Sequence, residues 1–115
     1  MALTRGKLTN VISVSAASTV GIITSTNSKK VYIKSIIIHD ANVAGTASTA
    51  HIYYVPNGSS VNSANRVFNV ALSAKETVLI EPSYPITLEN GDAIHIGSNT
   101  GGGTLNVIVN GDKEV

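Results

Sequence analysis

Apolar residues in this chain recur at every second position in short runs, and the runs are separated by Gly, Pro, Asn and Ser. Strict alternation places one side chain set on each face of an extended strand. It is clearest in the second half. Phe68, Val70 and Leu72 alternate with Val67, Asn69 and Ala71, and Val78 and Ile80 with Thr77, Leu79 and Glu81. Ile94 and Ile96 alternate with Ala93, His95 and Gly97, and Leu105, Val107 and Val109 with Thr104, Asn106 and Ile108. Nine strand candidates follow, over residues 11–14, 19–24, 31–39, 49–55, 66–72, 77–81, 86–88, 93–97 and 104–109. Short strands with turn signals about every 8–12 residues predict an all-β, two-sheet antiparallel sandwich of eight to nine strands.

The run over 31–39 departs from alternation, because Ile36, Ile37 and Ile38 make both faces apolar. Such a strand is either central and covered twice, or its outer face meets another subunit. No segment shows a helical apolar period, and Gly45 interrupts the Ala-rich stretch 41–50, which reads as a loop. Asn57-Gly58, Asn90-Gly91 and Asn110-Gly111 are placed at chain reversals, since Asn and Gly tolerate the positive φ of tight hairpins. Residues 1–30, richer in Ser and Thr, read as an N-terminal arm or edge strands. Residues 31–115 form the sandwich core of one domain.

Composition narrows the function. Charged residues are 13% of the chain, about half the share in an average soluble domain. In their place stand 13 Ser, 11 Thr and 11 Asn. A formal net charge of +1 gives no field that would draw the protein to nucleic acid or an anionic membrane. The longest strongly aliphatic run, Ile36-Ile37-Ile38, is far short of the ~20 residues that span a bilayer. No signal-peptide pattern is present at the start, so synthesis in the cytoplasm is expected. With no cysteine there is neither a disulfide nor a thiolate nucleophile.

Candidate chemistry is sparse. His39, His51 and His95 lack metal-ligand spacing, and no metal or cofactor is expected. Glu89 and Asp92 flank a turn without a calcium-loop pattern, and Asp92 is assigned a local side-chain-to-backbone bond. Neither a nucleophile-elbow nor a phosphate-loop motif occurs, so no enzymatic activity is expected. Lys29-Lys30 is read as blunting a sheet edge. Tyr53-Tyr54, of which adjacent strand positions expose at most one, and Tyr84 are the aromatic candidates for a carbohydrate-binding adhesion module.

Several segments, in order, carry a resemblance. They are Val-Tyr-Ile-Lys-Ser-Ile-Ile-Ile-His at 31–39, Ile-Tyr-Tyr-Val-Pro-Asn-Gly-Ser-Ser at 52–60, and Leu72 with Ala-Lys-Glu-Thr at 74–77. Pro-Ile-Thr-Leu at 85–88, Asn-Gly-Asp-Ala-Ile at 90–94 and Val-Ile-Val-Asn-Gly at 107–111 follow. From Val31 onward the chain resembles small β-sandwich virion structural proteins of tailed bacteriophages, of the marine and cyanobacterial type. The resemblance implies a jelly-roll-like core and a non-enzymatic particle component located in the virion. Such a component would decorate or cement the capsid by bridging its subunits. It would be a homo-oligomer, a trimer where it sits on a local threefold, with the major capsid protein or other virion proteins as partners. A tail, neck or fibre-attachment protein is the alternative station. Expected subunit or capsid contacts are Leu3, Arg5 and Lys7 in the arm and Tyr32, Lys34, Ile36 and Ile38 on the long strand.

Overall fold

The computed structural model describes residues 2–41 and 45–115, so part of the loop expected over 41–50, residues 42–44, lies outside the described residues. Among the described residues ten strands form: β1 (Leu3–Lys7), β2 (Ile12–Val14), β3 (Thr19–Thr24), β4 (Val31–Asp40), β5 (Ser48–Val55), β6 (Arg66–Leu72), β7 (Thr77–Ile80), β8 (Ile86–Leu88), β9 (Ala93–Ser98) and β10 (Leu105–Glu114). One short 3₁₀ turn, Ser63–Asn65, precedes β6 and is capped by Asn62, whose side chain accepts from the Ala64 N–H.

The strands lie in two antiparallel sheets. In the six-stranded sheet, β10 and β4 are central; β1 and β2 share one edge, and β7 and β8 the other. The four-stranded sheet runs β3-β9-β5-β6. The pairing is nested. β2 pairs with β10, β3 with β9, β4 with β7 and β8, and β5 with β6, as when one long hairpin is rolled up. This is the jelly-roll order. The first thirty residues supply edge strands to both sheets.

The core is aliphatic. Ile33, Ile36, Ile38, Val107 and Val109 of the six-stranded sheet face Ala50, Ile52, Ile94 and Ile96 of the other, all fully buried. No disulfide supports it, so burial at about 25 cal/mol per Å² and the strand ladders carry the stability.

Two features of register differ from the sequence expectation. In β4 the partner of Asn110 is Ser35 and the partner of Gly111 is Ile33, which leaves Lys34 as an extra residue. This bulge reverses the alternation along β4. Val31 and Ile33 point into the core before it, and Ile36 and Ile38 after it. Secondly, Asn110-Gly111 is no chain reversal. It lies within β10 opposite the bulge, where a Cβ on Gly111 would overlap the Tyr32 carbonyl oxygen. Close backbone approach, and no turn, requires glycine there. Asn90-Gly91 is the expected hairpin turn, with φ of 56° and 89° and the Asp92 N–H donating to the Glu89 carbonyl at 3.1 Å. Gly58, also at positive φ, turns the chain after β5.

Candidate interaction face

The outer face of the six-stranded sheet is built in rows, because directly paired residues of neighbouring strands share a face. At one end, Ser13, Asn106, His39 and Thr77 stand side by side. The Ser13 hydroxyl donates to Asn106 Oδ1 at 3.2 Å, and His39 Nδ1 and Thr77 Oγ1 are 2.9 Å apart. The next row is aliphatic: Ile108, Ile37 and Leu79, with Leu79 51% exposed. Then come Lys7, Asn110 and Ser35, where the Asn110 amide donates to the Ser35 hydroxyl at 3.2 Å. The last full row is Arg5, Asp112, Tyr32 and Thr87. Beyond it, Leu3 pairs with Glu114.

The doubly apolar strand is thereby resolved. Its inward isoleucines fill the core, and its outward one, Ile37, sits in a short aliphatic stripe between amide and hydroxyl rows.

Asp112 is the electrostatic centre of this face. Lys34 Nζ lies 2.9 Å from one carboxylate oxygen and Arg5 Nε 3.1 Å from the other, while the Asp112 side chain is nearly buried. The bulge is what turns Lys34 toward it. The hydrogen bond from Lys34 lowers the Asp112 pKa below the usual 3.8, burial opposes this, and Arg5 lowers it further. The clasp ties β1 to β10 and β4. Its contribution to stability is full above about pH 4 and is lost as pH falls through the lowered Asp112 value, because the unfolded chain takes up this proton at higher pH than the folded one. Hydrogen exchange checks this. In wild type, protection of the β1 amides, corrected for intrinsic rates, should be constant above about pH 4 and fall as pH drops through the lowered Asp112 value. In Asp112→Asn it should be low already at pH 7 and free of that step.

Of the expected contacts, Leu3, Arg5, Lys7 and Tyr32 lie in these rows and Lys34 beside them. Ile36 and Ile38 do not. Both are fully buried in the chain's own core, so they cannot touch another subunit while the sandwich is closed. The bulge at Lys34 is the reason.

The histidines are separated by the sandwich itself. His39 is on the face just described; His51 and His95 are on the outer face of the four-stranded sheet. There His51 Nδ1 is 2.6 Å from Asn69 Oδ1, and the His95 ring lies over Gly21. Among the described residues, no three His, Cys, Asp or Glu side chains group as metal ligands would. Tyr53 is 7% exposed, covered by the Arg66 guanidinium 5.4 Å from its ring centre, and is no open platform. Tyr84 is 86% exposed.

Asp92 acts as a staple between turns. Its carboxylate accepts from the Asn57 N–H at 3.1 Å and the Tyr54 hydroxyl at 2.9 Å. Burial, with Asp92 and Glu89 nearby, pushes the Tyr54 phenol up to about 12 and keeps it a neutral donor. Sequence reasoning assigned Asp92 a turn role but missed Asp112, whose partner Arg5 is 107 residues away.

No protein-family model and no curated protein sequence matches the chain. Solved structures do. A chain from Bacillus endospore appendages, which form disulfide-linked pili, superposes with a TM-score of 0.55 at 13% identity, over 98% of this chain and 88% of that one. A chain from the structure of infectious bursal disease virus, Gx strain, gives 0.48 at 11% identity over 97% of this chain. This chain spans 31% of that viral chain. At such identities the likeness is one of fold: the molecule has the β-sandwich of a spore-pilus chain, without the cysteines that a disulfide-linked pilus needs.

Proposed function

We propose that this chain is a non-enzymatic structural protein of a tailed-phage virion, a decoration or cement protein that bridges neighbouring capsid subunits as a homo-oligomer. The observation that carries the proposal is the outer face of the six-stranded sheet. It sets an aliphatic stripe, Ile108, Ile37 and Leu79, among rows of Ser, Asn, Thr and His, with the Arg5–Asp112–Lys34 clasp at one end. A face of this kind suits a broad, wet contact in which many neutral hydrogen bonds set the register. Association with copies of the same chain would follow closed symmetry, a threefold on a capsid giving a trimer.

Electron microscopy of labelled particles, with sedimentation of intact and disrupted ones, tests the station. A decoration protein is expected on the head in hundreds of copies. A few copies at the tail or neck would favour the fibre-attachment alternative, and absence from particles would overturn both. One observation favours a different role. Tyr84, held between Pro82 and Pro85, is an exposed aromatic of the sort that stacks on sugars. Glycan binding lost in Tyr84→Ala would make this an adhesion module; Tyr53, being covered, has no part in that test.

A further inference from the structure

The sandwich has four strand edges, and three of them are guarded. The β1/β2 edge is split into two short strands and carries Arg5 and Lys7. The β7/β8 edge is also split, with Glu81, Pro82 and Pro85 in the break. β3 is interrupted by a bulge at Ile22. Charge, proline, brevity and bulges are the usual devices that stop one sheet edge from pairing with another.

β6 has few of them. It runs for seven residues, and its bulge at Val67 leaves Phe68–Leu72 in regular register with β5. Its single charge, Arg66, is turned back on its own sheet, where it donates to the Tyr53 hydroxyl at 3.2 Å. Both faces of the strand expose apolar surface, Val67 at 50% and Phe68 at 36%.

We propose that β6 is the edge at which two copies of this chain join, antiparallel about a twofold axis at Asn69, merging their four-stranded sheets into one of eight strands. The occupant is argued from complementarity. A twofold contact must match itself. About Asn69, Phe68 of one copy meets Val70 of the other, Val67 meets Ala71, and Asn69 meets Asn69. Apolar groups face apolar groups and amide faces amide. Arg66 falls opposite Leu72, so no charge meets its like. A charged peptide would find nothing to read on this edge, whereas a second β6 finds its free N–H and C=O groups and a cover for Phe68. The proposal concerns a surface other than the face assigned to the capsid, and it stands or falls separately from the station on the particle. One strand pair lies at the small end of protein interfaces, so the dimer is expected to be weak in dilute solution.

The absence of cysteine makes the test clean. Opposed Cα atoms in an antiparallel pair are about 4.5–5.5 Å apart, within disulfide range. Purified Asn69→Cys at about 100 µM under mild oxidant is expected to cross-link to a dimer at least about tenfold faster than Ser28→Cys, an exposed position in the turn between β3 and β4 that belongs neither to β6 nor to the face assigned to the capsid. Val67→Cys and Ala71→Cys should cross-link faster when mixed than either does alone. Adding Val67→Lys to Asn69→Cys should slow the reaction at least about tenfold by placing charge on a pairing edge. Equal rates for Asn69→Cys and Ser28→Cys, or no effect of Val67→Lys, would overturn the proposal. If wild type oligomerises while Asn69→Cys fails to cross-link, the β6 pairing is wrong and the assembly reading survives. If the dimer forms but the protein is absent from particles, the reverse holds.

Discussion

Replacing Gly111 by Ala is expected to cost about 3 kcal/mol or more, although it adds a single methyl group. Most glycines in strands are dispensable at roughly the level of backbone entropy. This one is not, because the atom a side chain would meet is the Tyr32 carbonyl oxygen of β4, a backbone group in the middle of the sheet. A flexible side chain could rotate away; a ladder carbonyl cannot move without opening the bulge at Lys34. Loss of the bulge would return Ile36 and Ile38 to the wrong face, so the damage spreads to the core. For a domain of this size the melting temperature should fall by roughly 12–24 °C. Thermal unfolding followed by circular dichroism measures it. A variant melting within a few degrees of wild type would show that β4 and β10 tolerate a wider separation.

The second large effect separates inside from outside on one strand. Ile38→Ala removes a fully buried side chain and should destabilise by about 2–5 kcal/mol. Ile37→Thr, one residue away, keeps β-branching on the outer face and should cost about 1 kcal/mol or less. Their effects on assembly should run the other way. Under conditions where both are folded, Ile38→Ala should still join particles, while Ile37→Thr should be depleted from them. Denaturant titration paired with particle incorporation reads both quantities. The assignment of the outer face as the contact surface would be abandoned if Ile37→Thr incorporated like wild type.

These isoleucines also mark how far the sequence could be read. The strands of the second half were visible because each turns one apolar face toward the core, which writes an alternating pattern, whereas β4 was visible as an apolar, β-branched run. β1 was not, since Leu3-Thr4-Arg5-Gly6-Lys7 buries neither face and is held by its ladder to β10 and by Asp112. A run of three isoleucines reads the same in either register, so the choice of Ile37 over Ile36 and Ile38 as the outward residue was left to the bulge. The bulge in turn depends on Ser35 and Ile33 pairing with Asn110 and Gly111, far along the chain. Asn110-Gly111 misled for a related reason. Locally it has the composition of a turn, but the position is set by a carbonyl on another strand. Asp92 was legible because its bonds are partly local, whereas Asp112 answers to Arg5 and Lys34, which no window along the sequence brings together.

The nested pairing has a consequence for how the molecule is made. β10, the last of these ten strands in chain order, lies in the middle of the six-stranded sheet, between β4 and the β1/β2 edge. Until residues 105–114 have left the ribosome, β1 and β2 have no partner and β4 lacks one of its two ladders. Sequence-distant pairing of this kind folds slowly, over milliseconds to seconds, and gives no early reward for partial chains. The outer face through which subunits would be joined has β10 running down its centre. A chain broken off before β10 therefore cannot present that face, and under the proposed role topology alone would keep incomplete products out of the assembly.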